Sequence, residues 1–265
     1  MRAAIKKQNK RITKRRFVIL LSIFIISISI FGFYLFIHFR DGKTNNDIRN
    51  ELNNIYEDAG NDDKLPKEVT RIDKLNELRM ENPDIVALIE IEGTNINYPV
   101  MQTNNNDYYM THNYKKEYSK DGSLFLDKAY DWNIPSTNLL IYGHNNIGSS
   151  EMFVELLKYK KEDFYKAHKT IKFTTTSEEA EYEIIAAFKS RVYYQHEQNV
   201  FRYYYFINAN NEAEFNSFVS NAKKASLYKI DTSATYGDQL MTLSTCEYSV
   251  EDGRFAVVAR KIVKE

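Results

Sequence analysis

The chain has 265 residues, with 36 Lys and Arg against 36 Asp and Glu, and beyond any targeting segment there is room for one domain of about 200 residues with a proper core. The charge balance is uneven: residues 1–16 carry eight basic side chains and no acid, which leaves 28 basic against 36 acidic residues in the rest. A net-acidic folded part argues against nucleic acid as the main partner, and a single cysteine with scattered histidines offers neither an intramolecular disulfide nor a usual metal-ligand spacing. No metal and no cofactor is expected.

Phe17 to Phe39 is 23 residues without Lys, Arg, Asp or Glu, about 35 Å as a helix and enough to cross a bilayer. It is longer than the apolar region of a signal peptide and lacks an Ala-x-Ala-like site, so it reads as a retained anchor. The basic residues 1–16 ahead of it form a cytoplasmic tail by the positive-inside rule, which puts everything after Arg40 outside. His38 falls at the membrane edge as an interfacial residue.

Residues 40–66 are polar and read as an extracellular stalk, partly helical around Ile48 to Tyr56. The domain proper is expected over 67–265. It opens with a helix from Lys67 to Glu81, with Val69, Ile72, Leu75 and Leu78 at helical spacing and Asn82-Pro83 as the stop. Short β-rich runs follow at Ile85–Ile91, Asn95–Met101, Ser123–Leu126 and Leu139–Tyr142. Helical patterns at Glu151–Leu157 and Glu162–Ala167 separate these from strands at Thr170–Thr175 and Glu181–Tyr194. A helix at Glu212–Lys224 precedes a final hairpin. Short, mainly antiparallel strands without βαβ alternation predict a mainly β fold, a closed or nearly closed barrel with added helices.

The final hairpin carries the only cysteine. Leu240, Thr242, Ser244 and Cys246 share one strand face, and Asp252-Gly253 turns the chain into Arg254–Arg260. Direct pairing about that loop sets Arg254 opposite Cys246 on the same face. A neighbouring arginine lowers a thiol pKa, and its planar fork suits an oxyanion; the bland alternative is an inert thiol beside an exposed strand-start arginine. His144 weighs toward chemistry, because Leu139-Leu-Ile-Tyr-Gly-His144 is a buried strand ending in glycine, which brings the imidazole to a rim. His112, His168 and His196 lie in polar or charged loop contexts and read as structural or solvated.

Three features together resemble the sortases, the membrane-anchored cysteine transpeptidases of Gram-positive bacteria. They are Thr242-Leu-Ser-Thr-Cys246, Tyr142-Gly-His144-Asn and the downstream Arg254. Glu247-Tyr248, Asn97-Tyr-Pro-Val-Met-Gln102 with its following Tyr-Tyr-x-x-His, and the helix before the last hairpin are similar to class B in particular. The resemblance implies an eight-stranded barrel with N-terminal helices. It also implies cleavage of a C-terminal sorting signal on surface proteins after Thr, with transfer to an amine of a cell-wall peptidoglycan precursor.

In that reading Cys246 is the nucleophile, His144 the acid–base and Arg254 the oxyanion donor, joined by a backbone N–H near Glu247. Ser244, Thr245 and Glu247 are candidate substrate contacts. Two other readings stand beside it. One is a papain-type thiol hydrolase, disfavoured because His144 precedes Cys246 in the chain. The other is a non-enzymatic anchored binding module presenting the 20 tyrosines.

Overall fold

The structure, a computed structural model, describes residues 2–57 and 70–263, except the side chains of 2–13, 38 and 55–57. The side chain of His38, residues 58–66 of the expected stalk and the expected first helical turn with Val69 lie outside the described part. By contact density the chain divides into two units, Met1–Thr44 and Asn45–Glu265.

In the first unit the backbone is helical, as part of α1 (Arg2–Glu57). The stretch Lys14–Asn54 contains a window long and apolar enough to span a membrane. Its side chains from Phe17 to Phe36 are largely exposed. The hydroxyls of Ser22 and Ser29 donate to the carbonyls of Val18 and Ile25, each at 2.9 Å, the internal satisfaction a polar side chain needs in lipid.

The second unit is a closed eight-stranded barrel: β1 (Ile85–Glu90), β2 (Asn97–Met101), β3 (Leu124–Leu126), β4 (Asn138–Tyr142), β5 (Thr170–Thr174), β6 (Glu179–Arg191), β7 (Leu240–Cys246) and β8 (Gly253–Lys261). Round the barrel the order is β1-β2-β3-β4-β7-β8-β6-β5. Six of the pairings are antiparallel, while β2–β3 and β4–β7 are parallel. Period-two alternation divides every strand but β5 between the barrel interior and a core outside it. Met241, Leu243, Phe255 and Val257 fill the barrel with Ile89, Tyr98, Leu139 and Ile141. Leu240, Ala256 and Val258 face outward, under Phe215, Phe218 and Ala222 of α4 (Glu212–Ala225).

A third cluster shows what composition hid. Residues 45–57, read from their polarity as part of a stalk, are helical, and over this stretch Ile48 and Leu52 pack with Leu75 and Leu78 of α2 (Arg71–Glu81) on Ile85, Leu88 and Met101. Two apolar residues four apart make a narrow stripe, and only the barrel reveals that it is buried. Helix α2 begins in a Thr70–Asp73 capping box, which satisfies its first free N–H groups. The helix expected at Glu151–Leu157 is not α-helical. Glu151 to Val154 form turns and Glu155–Lys160 is 3-10, because Met152 sits at φ 55°, which no right-handed helix accommodates. The short helix α3 (Glu162–Ala167) follows.

Candidate active site

Strands β4 and β7 run parallel, with Tyr142 beside Ser244, so both chains leave the barrel at the same rim, one carrying His144 and the other Cys246. Four hydrogen bonds stitch the two exits together. The Gly143 N–H donates to the Ser244 carbonyl at 3.1 Å and the Thr245 hydroxyl to the Gly143 carbonyl at 2.7 Å. The Asn145 amide donates to the Cys246 carbonyl at 3.0 Å, and the Tyr248 hydroxyl to the Asn145 carbonyl at 2.6 Å. The approach needs glycine at 143, where a Cβ would lie 2.4 Å from Leu124 and 2.6 Å from the Phe153 ring.

The imidazole of His144 is oriented from a third segment. Its Nε2 lies 2.8 Å from the Met110 carbonyl; a carbonyl only accepts, so Nε2 carries a proton and Nδ1 is the second proton site. Asn146 ties the same loop to the Lys120 carbonyl at 2.8 Å and the Asp121 carboxylate at 3.0 Å.

On the other side of the thiol, Cys246 pairs with Arg254 in the β7–β8 register. Cys246 is half-buried and unbridged. The Arg254 guanidinium donates to the Gly253 carbonyl at 2.9 Å and the Asp252 carbonyl at 3.3 Å. Beneath the pair lies Tyr203, fully buried, its hydroxyl 2.7 Å from Ser244 Oγ. Burial raises the Tyr203 phenol to about 12, with the Ser244 hydrogen bond and the charge of Arg254 pulling the other way. Burial also raises Tyr142, reinforced by the Asp127 carboxylate that accepts its hydroxyl at 3.1 Å. These phenols stay protonated and neutral.

The three residues expected to touch substrate are placed below the surface. Ser244 is engaged by Tyr203 and Thr245 by Gly143. Glu247 pairs with Lys160 at 2.5 Å and Lys189 at 3.5 Å, and accepts from the Ser249 hydroxyl. Burial alone would push the Glu247 carboxyl up; its hydrogen bonds with Lys160 and Ser249 outweigh that and hold it at about 2. Of the backbone N–H groups near Glu247, its own donates to the Gly253 carbonyl at 2.9 Å.

Tyr203 carries no signal in the sequence, and Asn145 and Tyr248 belong to the quoted motifs without a role of their own. Only the position of Asn145 and Tyr248 directly beside His144 and Glu247 pointed to the last two. His112 stacks on Tyr108 at 4.0 Å, His168 bonds the Glu92 carbonyl at 2.7 Å, and His196 stacks on Tyr194 at 5.7 Å. Among the described residues no group of three or more His, Cys, Asp or Glu is placed to hold a metal ion.

Residues 89–262 match the Sortase domain family. The chain is 34% identical over 185 residues to sortase B of Staphylococcus aureus (strain NCTC 8325 / PS 47), covering 69% of this chain and 72% of that protein. It is 29% identical over 249 residues to sortase B of Listeria monocytogenes serovar 1/2a, covering 93% and 95%. A solved Staphylococcus aureus sortase B–substrate complex superposes with a TM-score of 0.64 at 31% identity, over 72% of this chain and 86% of that one. The chain therefore belongs to the sortase family, whose members are cysteine transpeptidases serving cell-wall anchoring. Within that family its barrel, its inserted helix and its relatives are those of class B.

Proposed function

We propose that this sortase cleaves a C-terminal sorting signal of surface proteins after a threonine and transfers the acyl part to an amine of a cell-wall peptidoglycan precursor. The Cys246 thiolate attacks the threonine carbonyl carbon, and the carbonyl oxygen takes the negative charge opposite the Arg254 guanidinium. As the C–N bond breaks, His144 gives its proton to the departing nitrogen, leaving a thioester on Cys246. The incoming amine then attacks the thioester, loses its proton to His144 and releases the thiolate. Ser244, Thr245 and Glu247 act by holding the Cys246 strand in place. Residues 1–16 lie in the cytoplasm, 17–39 cross the membrane, and the catalytic domain faces outward.

The observation that carries this reading is the Cys246–Arg254 register pair, on a strand whose exit is stitched to that of His144. The test is mass spectrometry of the full chain in detergent, mixed with a library of Thr-containing signal peptides. The expected product is a hydroxylamine-labile adduct on Cys246, absent in Cys246→Ala. In His144→Ala the adduct should form far more slowly. Cleavage at the wild-type rate in Cys246→Ala would end the assignment. A C-terminal reporter active only in the cytoplasm would refute the orientation.

A further inference from the structure

The residues from His144 to Glu151 leave the rim and return, and their return is anchored on α1. Arg49 of that helix donates to the Tyr98 hydroxyl at 2.7 Å and to Glu151 Oε2 at 3.2 Å, and also bonds Asn46. The Tyr98 hydroxyl donates to the same carboxylate oxygen at 2.8 Å. Arg49, Tyr98 and Glu151 are all buried. Met152, the next residue, is held at φ 55°, and the N–H after it, from Phe153, donates to the His144 carbonyl at 3.0 Å. A left-handed non-glycine residue persists only where its surroundings over-determine it. Here the preceding residue, Glu151, is pinned by Arg49 and Tyr98, and the following N–H by the His144 carbonyl.

We infer that Arg49 is a positioning residue for His144: through Glu151 and Tyr98 it fixes the Met152–Phe153 backbone, whose Phe153 N–H donates to the histidine's own carbonyl. Without the guanidinium, Glu151 is a buried carboxylate with no counter-ion, which water will draw outward. Met152 then relaxes from φ 55°, the Phe153–His144 bond opens, and the imidazole shifts relative to the thiol. Cys246 and Arg254, held by the β7–β8 ladder, stay where they are. The inference rests on His144 being the acid–base of the proposed reaction.

The test uses the full chain in detergent and the Thr-containing peptide that the wild type cleaves fastest in a library screen. Arg49→Met and Glu151→Gln should each lower kcat by about tenfold or more, the scale expected for a misplaced catalytic group. KM should change by less than about twofold, since the misplaced group acts on the chemical step and not on peptide binding. Iodoacetamide should label Cys246 at the wild-type rate, a readout that general loosening of the fold would move. The double variant R49M/E151Q leaves no unpaired charge buried, so it should regain thermal stability and yet keep the low kcat.

Wild-type kcat in a folded single variant, or in the double variant, would overturn the inference, as would thiol labelling that changes in step with kcat. If neither single variant folds, the double variant decides alone. His144→Ala run in parallel separates the two levels. Full activity there removes the assigned acid–base. Loss of activity there, with Arg49→Met fully active, removes only the role of Arg49.

Discussion

Replacing Gly253 by Ala should do more damage than any other single methyl group added to the site. Gly253 begins β8, one residue before Arg254, and its α-carbon faces the chain that leaves Cys246. A Cβ there would stand 2.0 Å from the Glu247 carbonyl oxygen and 3.0 Å from that of Val250. Both contacts are backbone, so neither can swing aside, and the hairpin has to open by roughly 1 Å or more, a displacement that can cost about 10²-fold in rate at a catalytic pair. The Glu247 N–H to Gly253 carbonyl bond, 2.9 Å long, is the first casualty. Leaving those groups unpaired costs about 1–3 kcal/mol, and the forced contact adds about 1–3 kcal/mol. At ~2–4 °C per kcal/mol for a domain of this size, the combined cost of about 2–6 kcal/mol should lower Tm by roughly 4–24 °C. Thermal melting and peptide-cleavage kinetics at a temperature where both proteins are folded give the two numbers. A Gly253→Ala protein with wild-type Tm and kcat would mean that the tight Glu247–Gly253 crossing does not set the Cys246–Arg254 geometry.

Arg254→Lys keeps the charge and loses the planar fork, so kcat should drop by about 10²-fold with KM little changed; near-normal turnover would mean that Arg254 acts only through its field. The pH dependence of stability should carry the signature of Glu247, whose carboxyl is lowered from 4.5 to about 2. A depressed carboxyl contributes stability that is present above the unfolded value and lost as pH falls through the folded one. Between pH 4.5 and about 2, Tm should therefore fall more steeply in the wild type than in Glu247→Gln, and parallel curves would assign the acid sensitivity elsewhere.

The elements that strand periodicity and turn residues specify were legible from the chain. The Thr242–Cys246 run, the Asp252-Gly253 turn and the alternation of β8 fix a hairpin register, and the structure pairs Cys246 with Arg254 as that register requires. What could not be read was set by distant contacts. The parallel β4–β7 pairing joins residues about a hundred positions apart. Tyr203 reaches Ser244 from a loop whose tyrosine run carries no spacing signal. Met152 breaks an otherwise plausible helix because a buried carboxylate on one side and the His144 carbonyl on the other dictate its φ. Nothing in the sequence marks Arg49, and its burial follows only from where Tyr98 and Glu151 come to lie.

The barrel closes through β8, which joins β7 to β6 and is built from residues 253–261. During synthesis this strand leaves the ribosome after all seven others. Until it docks, β6 and β7 offer unpaired edges, the outward face beneath α4 lacks Ala256 and Val258, and no guanidinium faces the thiol. In the proposed mechanism, competence for chemistry and completion of the sheet are thus a single event. A prematurely terminated chain is both inert and sticky, and so a ready target for quality control, while a chain that has sealed its barrel has, in the same step, armed its cysteine.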